Sequence, residues 1–220
     1  LKEETMHIPD GFIAPQVYVP AYFLDGLFLI YAFRRFKKAM EERMIPYIAS
    51  LSLFSFILMS IAVPLPGGTS VHGLGIASLS LLLGPWIAFI CVSLILFLEA
   101  VIFGEGGITT LPINSMAMGF LGSFSAFYAY TMLKKFLSDK VSLFLAGFFS
   151  TLVSAFFMAL LLGIHPYIFK DASGKPLYFP YGFSIVMPAL LLPHLVVGTG
   201  EGLLTYLVVR LLRGRISHEG

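Results

Sequence analysis

Three short segments of this chain, lying between or just before its long apolar runs and overlapping them only at their edges, hold residue types able to bind a metal ion or move a proton. The first is Met6-His7-Ile8-Pro9-Asp10-Gly11-Phe12, in which Pro9 fixes one backbone angle and Asp10-Gly11 makes a turn. The second is Gly67-Gly68-Thr69-Ser70-Val71-His72-Gly73-Leu74-Gly75. Its glycines permit positive φ and close packing around a small ligand, so this loop can carry an imidazole into a tight cavity. The third is Phe103-Gly104-Glu105-Gly106-Gly107-Ile108-Thr109-Thr110-Leu111-Pro112-Ile113-Asn114, with one carboxylate and one carboxamide. Each has a plainer reading: His7 as a solvated side chain, His72 as part of an ordinary turn, and Asn114 as a hydrogen-bonded helix-start residue.

The elements that must position these segments are membrane helices. Of the 220 residues, 58% are hydrophobic and 12% charged, about half the charge of a soluble domain. Apolar runs near 17 to 33, 45 to 63, 85 to 103, 112 to 133, 141 to 163 and 184 to 209 reach or approach the ~20 residues that span a bilayer as a helix. A shorter run near 74 to 83 is set off by Gly84-Pro85, a helix end followed by a helix start, and counts as a seventh, short or tilted span. The expected class is therefore all-α, a polytopic protein of seven transmembrane helices.

Topology follows from the basic residues. Arg34, Arg35, Lys37, Lys38 and Arg43 follow the first run; Lys134, Lys135 and Lys140 follow the fifth long one's predecessor helix at 112 to 133; Arg210, Arg213 and Arg215 come last. With seven spans, all three clusters share one side, which puts the N-terminus outside and the C-terminus in the cytoplasm. The leading segment and the loops at 64 to 73, 104 to 111 and 165 to 182 then gather on the outer face.

Other readings narrow the function. A net charge of +2 gives no basis for a nucleic-acid partner. The single Cys91 excludes a disulfide framework or a paired-cysteine metal knuckle. Leu1 to Asp10 carry Glu3, Glu4 and Asp10 and do not read as a cleavable signal peptide; one membrane domain over 1–220 accounts for the chain. Asp25, Glu99, His194 and Glu201 are ionisable residues inside apolar runs, where charge is expensive and faces the bundle interior. Glu201 reads as too near the cytoplasmic end to join an outer site, and it and His194 read as structural polar contacts or coupling elements. The chain has no HExxH, GxSxG, P-loop or strand-borne GxGxxG motif, so energy for active transport must come from a partner chain or an ion gradient.

These motifs resemble the CbiM/NikM family, the substrate-specific subunits of energy-coupling-factor cobalt and nickel transporters. The resemblance rests on Met6-His7-Ile8-Pro9-Asp10-Gly11-Phe12, on Gly-Thr-Ser-Val-His ending at His72, on Phe103-Gly104-Glu105-Gly106-Gly107 with Asn114, and on Gly198-Thr199-Gly200-Glu201-Gly202. It implies a non-enzymatic seven-helix subunit of the cell membrane, without a cofactor of its own, that captures Co²⁺ or Ni²⁺ at its outer face. It also implies a membrane-embedded coupling subunit, two cytoplasmic ATPases and, in many members, a small additional membrane subunit. ATP-driven toppling of the capture subunit would carry the site across the bilayer. Carried over, the ligands are Met6 through its α-amine, His7 through amide and imidazole nitrogens, and His72, with Asn114 and Glu105 beside them. Four nitrogens in a plane suit d⁸ Ni²⁺, and Pro-Asp-Gly after Met-His-Ile looks more like the nickel-type branch.

This sequence departs from the pattern in one respect: Leu1-Lys2-Glu3-Glu4-Thr5 precede Met6, and an amide nitrogen there is a far poorer donor than a free amine. The expectation is that residues 1–5 are removed or are not native. Two other classes compete with capture: a self-sufficient secondary carrier or channel, which calls for a charged central pathway or inverted repeats, and an intramembrane metalloenzyme, for which Glu105 is the visible candidate base.

Overall fold

The computed structural model describes residues 7–39, 41–61, 63–65, 69–71 and 73–216. Helix α1 (Pro15–Ala39) has Pro at its first position and Lys37 and Lys38 in its last turn, which suits both ends of a helix dipole. A 3₁₀ turn (Glu42–Met44) leads into α2 (Ile45–Ser60). Strands β1 (Val63–Leu65) and β2 (Thr69–Val71) pair antiparallel, Val63 opposite Val71, so the expected all-α class holds for the body while this loop adds a hairpin. Helices α3 (Ile76–Leu83) and α4 (Pro85–Ile102) follow, separated as anticipated by Gly84 at φ 86° and Pro85.

The next helical run starts as α5 (Leu111–Asn114), passes through a π-helical segment (Ser115–Gly122) and continues as α6 (Ser123–Leu133). Helix α7 (Asp139–Ile168) begins with Ser138, whose side chain accepts the Val141 amide at 3.5 Å, and with Asp139 in its first turn; α8 (Phe183–Ile216) ends the fold. Among the described residues, Pro15–Lys38, Pro85–Ile102, Asp139–Ile168 and Phe183–Arg213 are long and apolar enough to cross a membrane.

Large apolar side chains point outward and small polar ones inward. Phe23, Leu27 and Ile30 on α1 and Leu192, Val196, Leu203, Leu207 and Leu211 on α8 are exposed, while Ser55, Ser78, Ser80, Ser123, Ser150, Ser154, Thr151 and Thr205 are buried. Lipid-facing surfaces are as apolar as any core, and helices in a bilayer associate through small residues and hydrogen bonds. Helices α7 and α8 show this most: a Cβ on Gly147 would stand 2.5 Å from the Glu201 carbonyl oxygen, and one on Gly202 2.6 Å from that of Phe144. The chain is a multi-pass membrane protein.

Two ends of the bundle are distinguishable. At one, Arg213 Nη1 donates to the Tyr130 hydroxyl at 2.7 Å and faces Asp139 at 3.6 Å, so the segments that bear the basic residues at 134–140 and 210–213 lie together. At the other, the Phe179 amide donates to the Phe12 carbonyl at 3.3 Å and the two rings lie 5.3 Å apart. This joins the leading segment to the 165–182 loop.

One expectation is narrowed and one is corrected. The run near 74 to 83 is an eight-residue helix, about 12 Å long at 1.5 Å per residue, and does not cross ~30 Å of hydrocarbon by itself. Glu201 also does not stand apart from the loop bearing His72. Its carboxylate accepts the amides of Leu74 at 2.6 Å and Gly75 at 3.0 Å, roughly 27 Å along α8 from Phe183. The loop comes down into the bundle to meet it, because two buried amides ahead of α3 need an acceptor. Gly75 makes the turn, at φ 65° with its missing Cβ only 2.6 Å from the Ser55 hydroxyl. A side chain there would be strained at this φ and would have to push the Ser55 hydroxyl aside.

Candidate metal-binding site

His7 is 2% exposed, so the solvated reading of this residue is set aside. The backbone on its C-terminal side is fixed at several points. Asn114 accepts the Ile8 amide through Oδ1 and donates to the Ile8 carbonyl through Nδ2, both at 3.1 Å, and Thr110 donates its hydroxyl to the same carbonyl at 2.5 Å. Asp10 accepts the Thr109 amide at 2.8 Å and the Thr109 hydroxyl at 2.5 Å. Ala14 donates its amide to His165 Nε2 at 3.3 Å, while His165 Nδ1 meets the Leu161 carbonyl. An accepting Nε2 and a carbonyl-facing Nδ1 define a neutral imidazole protonated on Nδ1.

The leading segment from His7 onward is thus a strap tied to the 103–114 loop and to α7. His7 lines a small cavity with Leu74, Met118, Thr151, Ser154, Met158 and His194, about halfway along α7 and α8. Leu74 stands two residues after His72, so the chain that follows His72 reaches the same cavity. Met6 and His72 themselves lie outside the described residues.

Of the residues expected beside the ligands, Asn114 is a two-point holder of Ile8 rather than a helix-start cap, and Glu105 comes within reach of His7. Gly106 has φ 74°, and a Cβ on it would sit 2.9 Å from His7 Cβ, so the loop turns back against the imidazole only because residue 106 is glycine. The sequence reading took Glu99 as one of several scattered intramembrane acids, yet it closes the group. Glu99 Oε2 is 3.8 Å from His7 Nδ1, and ligand atoms from His7, Glu99 and Glu105 lie within 4.8 Å of one another. A legible signal existed: an acid in the last turn of an apolar helix, running directly into a Gly-rich loop. His165 and Asp10 were missed as fasteners of the strap.

Imidazole nitrogen and carboxylate oxygen suit a borderline divalent ion such as Co²⁺, Ni²⁺ or Zn²⁺. Asp25, by contrast, serves packing: Ser115 donates to it at 2.9 Å and Ser93 lies 2.7 Å from Ser115. His194 Nδ1 meets the Leu190 carbonyl at 2.6 Å, the structural contact expected of it.

The chain is 34% identical over 206 residues to a fused nickel transport protein, NikMN, of Rhodobacter capsulatus, which it matches over 91% of its own length and 59% of the relative's. It therefore spans about three fifths of that relative. It is 28% identical to the cobalt transport protein CbiM of Anoxybacillus flavithermus, covering 98% of this chain and 85% of that one. A crystal structure of a truncated transition metal transporter superposes with a TM-score of 0.89 at 37% identity, covering 96% of this chain and 99% of the other. With residues 7–219 matching its profile, the chain belongs to the family described as the cobalt uptake substrate-specific transmembrane region.

Proposed function

We propose that this protein captures Co²⁺ or Ni²⁺ at the outer face of the cell membrane as the substrate-specific subunit of an ATP-driven energy-coupling-factor uptake transporter. The observation that carries this reading is the buried, strapped-down imidazole of His7, placed on a cavity that the chain after His72 also lines. Met6, His7 and His72 supply the nitrogen ligands, Asn114 holds the strap, and Glu105 stands beside the ion. The amine ligand requires a mature chain that starts at Met6.

One membrane domain over 1–220 crosses the bilayer seven times, with the N-terminus outside. The third crossing combines the descending loop with α3, and the run from α5 through α6 makes the fifth. The closeness, around Arg213, of the segments that bear two basic clusters supports a common cytoplasmic end. A coupling subunit in the membrane, two cytoplasmic ATPases and a small accessory membrane subunit complete the transporter, and ATP is hydrolysed by the partner chains. The ion is delivered to the cytoplasm for cobalamin synthesis or for nickel enzymes.

Calorimetric titration of the purified chain with Ni²⁺ and Co²⁺ tests the capture step. One ion per chain is expected, with binding lost in His7→Ala and His72→Ala. Proteoliposomes test the coupling: ATP-dependent uptake with the partner chains and none without them is expected. Gradient-driven uptake by this chain alone would favour a secondary carrier instead.

A further inference from the structure

We infer that His7, Glu99 and Glu105 form a mixed nitrogen and oxygen site for the transported divalent ion, distinct from the all-nitrogen set and sharing only the His7 imidazole with it. The inference rests on the capture reading above and specifies where the ion sits while Met6 is preceded by residues 1–5.

Three observations carry it. The first is convergence: one ligand atom from each side chain falls within 4.8 Å of the others. Two ligands held at ~2.1 Å by one tetrahedral ion stand roughly 3.4 Å apart, close to the 3.8 Å between His7 Nδ1 and Glu99 Oε2. That separation is too long for a hydrogen bond and needs only a few tenths of an ångström of closure to share an ion.

The second is the state of Glu99. It is fully buried, at 0% exposure, and neither carboxylate oxygen has a hydrogen-bond partner among the described residues. Buried polar groups nearly always find partners, and a buried acid whose own oxygens lack donors while it faces an imidazole and a second acid is a place where a cation belongs. The third is construction: the Asn114 and Thr110 bonds to Ile8 and the close approach at Gly106 hold the imidazole against both acids.

Charge favours the same answer. Two carboxylates and a neutral imidazole around M²⁺ sum to zero, whereas an amide anion with three neutral nitrogens leaves a net positive complex. In a low-dielectric bundle the neutral assembly is the cheaper one to enclose.

Magnetism separates the two sites, since planar four-nitrogen Ni²⁺ is diamagnetic and Ni²⁺ bound by imidazole and carboxylates is paramagnetic. The full chain carrying residues 1–5 is loaded with Ni²⁺, and its susceptibility is measured by NMR alongside X-ray absorption of the metal. A paramagnetic ion with oxygen in its shell is expected, and its affinity should fall tenfold or more in Glu99→Gln and in Glu105→Gln. Glu105 lies in a loop outside the helices, so Glu105→Gln decides the matter if Glu99→Gln does not fold. Diamagnetic Ni²⁺ bound with unchanged affinity in the glutamine variants would overturn this site and leave the capture reading standing. Failure of the chain carrying residues 1–5 to bind Ni²⁺ or Co²⁺ would also overturn this site, and failure of the chain that starts at Met6 to bind either ion would overturn the capture reading itself.

Discussion

Glu99 and Glu201 are both acids in the interior of a membrane bundle, and they are treated in opposite ways. Glu201 meets two backbone amides, from Leu74 and Gly75, and ties α8 to the turn ahead of α3. Glu99 meets none among the described residues and faces an imidazole and a second acid. A buried carboxylate that is saturated by donors holds a fold together. One left without donors destabilises the fold until a ligand arrives. Burial alone therefore does not tell a fastener from a binding group, and the local supply of N–H does.

The largest expected effect tests the fastener. Glu201→Ala strands two buried amides, a loss of roughly 2–6 kcal/mol at about 1–3 kcal/mol each, whereas Glu201→Gln keeps an accepting oxygen and should lose less than half of that. Thermal unfolding in detergent reads the difference, and equal losses in the two variants would break the comparison.

Next in size is Gly202→Ala, beside Glu201, where the added Cβ meets the Phe144 carbonyl at 2.6 Å. A cost of about 1–3 kcal/mol is expected from overpacking, read on the same unfolding curve. Asn114→Ala removes both bonds to Ile8 and should cost about 1–2 kcal/mol. It should also weaken Ni²⁺ binding, which Glu201→Gln should leave nearly unchanged; calorimetry checks both.

Glu99→Gln should have the opposite sign in stability. Without metal it is expected to match or exceed the parent by roughly 1 kcal/mol, because a buried acid without donors is replaced by an amide and no hydrogen bond is lost, while metal-induced stabilisation shrinks. A large loss in the metal-free state would place Glu99 with Glu201 as a fastener.

The smallest effect concerns a solvated acid. The Ser173 hydroxyl, with the amides of Lys175, Ser173 and Gly174, holds the Asp171 carboxyl below the usual carboxylate range. A depressed value means its contribution is present above the ordinary carboxylate range and fades as pH falls through the lowered one. Amide exchange at Ser173 and Lys175 should quicken only in strong acid, with global unfolding unmoved.

What the sequence makes legible is what each helix needs by itself. Apolar runs, Gly84-Pro85 and the Lys and Arg clusters all act locally, and they place the bundle and its two ends to within a few residues. The chemistry of His7 was visible as a residue type and spacing, but its burial comes from Asn114, more than a hundred residues away. The depth of the His72 loop was misjudged for the same reason: an apolar stretch at 74 to 83 looks identical whether it crosses the bilayer or stops half-way. Only the amide acceptor on α8 distinguishes the two. Glu99 was visible as an intramembrane acid, while its company was hidden in a loop that folds back at Gly106.

The glycine contacts between α7 and α8 also bear on movement. With Gly147 against the Glu201 backbone and Gly202 against that of Phe144, a slide by one turn would drive side-chain-bearing positions into spaces that hold only a hydrogen atom. These two helices must therefore tilt or translate as a single beam. A force applied at the Arg213 end would then reach the cavity wall undiminished, carrying Thr151, Ser154 and Val197 with it, and any rearrangement around the ion would fall to the strap and the loops.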